Sequence, residues 1–177
     1  MRVALCAILI AGGTTAQAFA AGDEAGMAAA ANGFYAVYRT VHPSDGIPSP
    51  ADRAKYAPYL SAALERLLAD AGDAEERFAK ANKASPPLVE GDLFTSLFEG
   101  ATSEQVGSCT GDGKIGHCRV SLEYTEPGSK PTVWTDTIHL LNSPNGWRVD
   151  DIAYGGSWAF GNKGRLSETL RETIGFQ

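Results

Sequence analysis

Two aspartates stand side by side near the end of the chain, in the run Gly146-Trp147-Arg148-Val149-Asp150-Asp151-Ile152. Neighbours in a strand point to opposite faces, so only one of the pair can point inward. With Trp147 and Val149 inward, alternation gives that place to Asp151. A carboxylate among apolar side chains has a raised pKa and can serve as a general base. The plainer alternative is that the pair ends the strand and binds nearby backbone or a cation. Asp136 is a sharper case, because it shares an alternating face with Trp134, Ile138 and Leu140. A buried carboxylate needs a partner or a purpose. Either it lines a cavity beside Asp151, or a bulge or edge position turns it to water.

The aromatic residues Tyr35, Tyr38, Trp134, Trp147 and Tyr154 would ring a small apolar ligand, or simply pack the core. Trp158, in the glycine-rich run GGSWAFGNKG, would act as a lid over a cavity or dock to close the core. The histidines give little. His42 precedes a proline, His117 lies beside Cys118, and His139 alternates away from Asp136. No two of them share a helical or strand spacing that binds metal, so no metal is expected. The run Gly111-Asp112-Gly113 is too short for a calcium loop. No phosphate loop, dinucleotide fingerprint or G-x-S-x-G elbow occurs, so no cofactor is expected. Fifteen Lys and Arg against 21 Asp and Glu give a net charge of −6. With no basic run, nucleic acid is not an expected partner.

Residues 1–20 read as an export signal: Arg2, an apolar stretch over 3–11, and small residues offering cleavage after Ala20. That stretch is too short to span a bilayer, which needs about 20 apolar residues. The expected mature chain is periplasmic or secreted and not embedded in a membrane. Removal of the signal takes Cys6 with it and leaves Cys109 and Cys118. An even count in an oxidising compartment favours a disulfide. Such a bridge, clamping a hairpin around TGDGKIGH, would contribute about 2.5–3 kcal/mol. A redox pair would prefer C-x-x-C, and a zinc site needs more ligands than His117 supplies.

The elements that must position these residues fall into two textures. Residues 21–31 are rich in alanine and glycine and are expected to fray. Met27, Ala31, Phe34, Val37, Tyr38 and Val41 repeat at helical spacing. Ser49-Pro50 opens a second helix carrying Tyr56, Leu60, Leu64, Leu67 and Leu68, with Pro58 as a kink or a later start. Gly72 is expected to end it, and Asp73 to cap a third helix. The segment LVEGDLFTSLFEG is ambiguous. After Gly100 the pattern alternates: strands are expected over 103–109, 117–124, 132–141 and 147–154, with Asn145-Gly146 as a hairpin turn. Leu166, Leu170 and Ile174 mark a short final helix. Helices first and antiparallel strands after argue for one α+β domain over 32–177, with helices packed on a curved sheet.

The early Phe34-Tyr35-x-x-Tyr38, the leucine-rich second helix and the strand Trp147-Arg148-Val149-Asp150-Asp151-Ile152-x-Tyr154 together suggest a family. Over roughly residues 32–174 the chain resembles the exported bacterial proteins of domain of unknown function 3828, grouped with the nuclear transport factor 2-like cone superfamily. The resemblance implies a bent sheet wrapped around helices with a cavity at its open end. It implies no activity, because that superfamily includes isomerases, dehydratases, binding modules and adaptors. Three functions remain open. The first is non-catalytic binding of a small apolar ligand or an envelope protein partner, with Tyr35, Tyr38, Trp134, Asp136, Trp147, Asp151 and Tyr154 as cavity residues. The second is a cofactor-free isomerase, dehydratase or hydrolase using Asp136 or Asp151. The third is an envelope inhibitor or immunity protein acting through loop 109–118. Pairing of exposed strand faces would give a homodimer.

Overall fold

Alternation decides the sheet. In a computed structural model that describes residues 19–41 and 46–176, with side chains from residue 24 onward, every second residue of the middle strands is buried. The strands are β1 (Ser103–Gly111), β2 (Ile115–Tyr124), β3 (Thr132–Ser143) and β4 (Gly146–Ala153). They form one antiparallel meander in the order β1-β2-β3-β4, curled but not closed. Most of residues 1–20, the expected export signal, and His42 lie outside the described residues.

Four α-helices accompany the sheet among the described residues: α1 (Phe19–Val41), α2 (Pro50–Tyr56), α3 (Ala62–Ala81) and α4 (Leu166–Gly175). Residues 21–31 belong to α1, and Met27, Ala30 and Ala31 are buried. Met27 fits because Gly111 and Gly116 in the facing hairpin leave room for its sulfur. The face bearing Phe34, Tyr35 and Tyr38 lies fully buried in the core.

Pro58 separates two helices. α2 begins at the Ser49 cap with Pro50 and passes into a 3₁₀ turn at Ala57–Tyr59, and Ser61 then caps α3 by accepting from the Leu64 amide. α3 runs through Gly72 and Asp73 instead of stopping. A glycine in a helix costs only about 1 kcal/mol, and buried Leu64, Leu68, Ala71 and Ala74 hold both halves. Gly72 is also where the Arg53 guanidinium of α2 crosses: an added Cβ would lie 2.6 Å from its Nη1. The resulting architecture is α+β, helices against a curled antiparallel sheet with a short C-terminal helix.

One segment fits neither texture. Residues 91–97 form no helix or strand, only bends after a bridge at Gly91, yet every one of them is buried. Buried irregular backbone must find hydrogen-bond partners outside any ladder. How it does so determines the character of the site.

Candidate functional site

Asp136 supplies many of those partners. It is fully buried on the inner face of β3. Its Oδ2 accepts from the Ser96 amide at 2.9 Å and from Trp134 Nε1 at 3.1 Å. Its Oδ1 accepts from the Ser96 hydroxyl and from the Gly155 amide at 2.8 Å. All four neighbours donate, which is the setting of an acceptor-only carboxylate. The Ser96 hydroxyl in turn accepts from the Gly156 amide at 2.9 Å. Asp136 therefore clamps the buried segment to the loop that follows β4.

Asp92, which the sequence reading did not single out, organises the other end of the segment. Its Oδ1 accepts from the Phe94 and Thr95 amides at 2.6 and 2.8 Å, an Asx-type turn. Its Oδ2 accepts from the Tyr38 hydroxyl at 2.5 Å, and that hydroxyl accepts from the Ala101 amide at 2.8 Å. Burial outweighs these bonds and pushes the Asp92 carboxyl up to about 7. Tyr38 is pushed well above its ordinary value, first by burial and then by the Asp92 charge, so it stays a donor. Gly100 makes the approach possible. Its φ is +82°, and an added Cβ would lie 2.5 Å from Asp92 Oδ2 and 2.7 Å from the Tyr38 oxygen.

Two further side chains bond to the segment's backbone. The Tyr154 hydroxyl donates to the Leu93 carbonyl at 2.7 Å. Asn162 Nδ2 donates to the Asp92 and Thr95 carbonyls at 2.6 and 2.7 Å, and its amide donates to Ser96. Burial raises Tyr35 and Tyr154 well above the ordinary tyrosine range. Tyr35 and Tyr56 hydroxyls are buried with no hydrogen-bond partner among the described residues.

Five of the seven expected cavity residues thus converge: Tyr35, Tyr38, Trp134, Asp136 and Tyr154 surround the buried segment. Phe94 of that segment is fully buried, its ring centroid 5.2 Å from that of Phe34 and 4.9 Å from that of Tyr56. Trp147 is elsewhere, against Gly26 and Gly116 beside the β1–β2 turn. Asp151 is also elsewhere. A bulge in β4 leaves Asp150 unpaired in the register, with Val149 opposite Leu140 and Asp151 opposite His139. Simple alternation fails at this point, and Asp151 joins the outer face. There it accepts from the amide and hydroxyl of Ser167 at 3.0 and 2.9 Å and meets Arg165 at 3.4 Å. It caps α4 from outside the helix.

His117 and His139 lie opposite one another across β2 and β3, ring centroids 6.4 Å apart. Linear spacing could not show this cross-strand pairing. Thr110 hydrogen-bonds His117, and burial followed by the Arg165 charge lowers the His139 pKa. Among the described residues no group of three or more His, Cys, Asp or Glu is arranged to hold a metal. Cys109 and Cys118 are joined in a disulfide across β1 and β2. No described helix is long and apolar enough to cross a membrane.

The buried segment reaches the surface at Leu97-Phe98-Glu99, where it forms one wall of a groove of about 520 Å³. Trp158, Phe160 and Gly161 form the facing wall, with Glu90 at the rim. Phe160 is 90% exposed and Phe98 43% exposed. Trp158 meets Trp134 edge-on, ring centroids 5.3 Å apart, and its carbonyl accepts from Lys163. Both walls are tied to Asp136, one through Ser96 and the other through Gly155. No protein-family model, curated protein or solved structure matches the chain.

Proposed function

We propose that this protein is an exported, non-catalytic binding module that takes a small apolar or aromatic ligand between the 97–99 and 158–161 walls. One observation carries the reading: Phe160 and Phe98 stand exposed on a concave surface already lined by Leu97 and Trp158. Its volume falls in the range of small-molecule sites, roughly 300–1,000 Å³. Exposed aromatics gathered in one hollow, unlike single scattered ones, are characteristic of ligand sites. The aspartates support a binding role over a catalytic one. Asp136 faces four donors, and Asp151 is engaged in capping α4. Neither offers a free lone pair to a substrate.

The disulfide supports an oxidising compartment, as does the export-type pattern of residues 1–20. The resemblance to exported cone-type proteins stays part of the proposal and agrees with the α+β class. Native mass spectrometry of the protein purified from its own host tests the whole reading. Expected are a chain starting at residue 21, two hydrogens lost to the disulfide, and a retained small-molecule mass that disappears in Phe160→Ala. A bare chain that also binds no aromatic fragment in solution would overturn the binding role.

A further inference from the structure

The charge around the groove is one-sided. Among the described residues that line it, Glu90 and Glu99 are the only charged side chains, and both are exposed. No described lysine, arginine or histidine lines it. Lys163, the nearby cation, has its ammonium directed to the Trp158 carbonyl. Three aromatic side chains, Phe98, Trp158 and Phe160, line the same groove. The face of an aromatic ring carries negative charge and attracts cations. Rings and carboxylates therefore favour the same sign of ligand.

From this juxtaposition we infer that the groove selects an organic cation, a quaternary or protonated amine on an apolar or aromatic body. The inference rests on the binding role proposed above and adds the ligand's charge class to it. A free inorganic cation gains little here, because the two carboxylates lie at an open rim where water screens them. An apolar anion would meet two like charges. A neutral aromatic would gain the apolar contact and nothing from the rim. An ammonium head with an apolar body uses rings and carboxylates together. The buried segment supports this selectivity, because Phe98 and Glu99 stand at the end of a stretch held by Asp92, Asp136, Tyr154 and Asn162.

The test uses three soluble probes of similar size on the full mature chain: benzyltrimethylammonium, its neutral near-isostere 2-methyl-1-phenylpropan-2-ol, and phenylacetate. Affinities are measured by ligand-observed NMR titration at low and at physiological salt. The cation is expected to bind at least tenfold more tightly than the neutral probe, and phenylacetate more weakly than either. Glu90→Gln combined with Glu99→Gln should cut the cation's advantage severalfold and remove its salt dependence, while leaving the neutral probe unchanged. Phe160→Ala, at an exposed position that the fold does not need, should weaken both. Equal binding of cation and neutral probe would overturn the charge inference and leave the apolar groove standing. Binding of no probe, or binding indifferent to Phe160→Ala, would overturn the groove itself.

Discussion

Replacing Asp136 by asparagine changes one atom and separates a structural carboxylate from a catalytic one. The amide can sit in two ways. With its nitrogen in place of Oδ2, the Ser96 amide and Trp134 Nε1 both face a donor and lose their acceptor. With its nitrogen in place of Oδ1, the Ser96 hydroxyl gives up its donor bond but can turn and accept, and the Gly155 amide is stranded. The second arrangement is the cheaper. A stranded donor costs about 1–3 kcal/mol, at the low end for a part-buried amide such as that of Gly155. The two bonds that remain on the other oxygen lose their charge assistance, about 1 kcal/mol each. The expected destabilisation is about 3 kcal/mol, a large part of the 5–15 kcal/mol typical of a domain. Urea unfolding followed by circular dichroism would show it as a lower midpoint at unchanged slope. Thermal unfolding should move down by roughly 6–12 °C. A loss below about 1 kcal/mol would refute the clamp, because it would mean that the four contacts contribute little. Fluorescence adds a local readout. The Trp134 bond to Oδ2 loses its charge assistance and Trp158 packs against that ring, so the native emission should change before global unfolding.

Asp92 makes stability depend on pH. Its folded pKa of about 7 lies above the ordinary 3.8, so the folded state keeps a proton that the unfolded chain releases. That contribution is full below about pH 4, declines as pH rises toward 7, and is flat above, at most about 4 kcal/mol from three units at 1.36 each. Asp92→Asn should flatten the decline, and parallel urea titrations of the two proteins between pH 4.5 and 8 would expose a failure. Tyr35→Phe removes a buried hydroxyl with no partner among the described residues, so it should be neutral or stabilise by up to about 1 kcal/mol; a loss above that, read from the same unfolding curves, would show that the hydroxyl has a partner. Reducing the Cys109–Cys118 bridge, whose cysteines are nine residues apart, should cost about 2.6 kcal/mol in the chain-entropy model. An unchanged melting temperature in reductant, with thiols confirmed by labelling, would contradict that. Asp151→Ala uncaps α4 and should cost about 2 kcal/mol, with amide exchange rising first in 166–170; uniform acceleration across the sheet would instead point to a global role.

The strands could be read from residue types because the sheet is buried on one face, and a half-buried strand writes its alternation into the sequence. Every expected strand is present; four of the eight ends run one or two residues further, and β4 stops one residue earlier, at Ala153. The bulge at Asp150 could not be read. A single unpaired residue leaves the local pattern intact and reverses everything after it. Simple alternation therefore holds for Asp136, on the inner face of β3, and fails for Asp151. The extension of α1 over residues 21–31 was hidden for a different reason. Alanine and glycine form no stripe, and the burial of Met27 depends on glycines about 85 residues away in sequence. The buried segment was the least legible feature. Its only local signs are Gly91 and Gly100 at positive φ around an Asp followed by amides two and three residues on. Its other partners come from α1, β3 and the loop after β4.

The buried segment 91–97 changes how acidic residues in such a fold should be weighed. An inward aspartate on a curved sheet reads as a reagent when the interior is assumed to be empty. Here Phe94 and its neighbours fill the interior, and the acids satisfy the backbone that filling requires. The number of donors facing a carboxylate separates the two cases. Asp136 faces four, and Asp92 faces two amides and a tyrosine hydroxyl. A reacting base must keep a lone pair free at a surface that a substrate can reach, and Asp92 is 1% exposed. The proposed binding surface lies further out, where the buried segment emerges at Phe98. Because the same Asp136 clamp holds both walls there, a ligand that needs the walls together binds only the clamped form. Its affinity and the clamp's stability must therefore rise and fall together. Asp136→Asn should weaken ligand binding even though Asp136 does not line the groove.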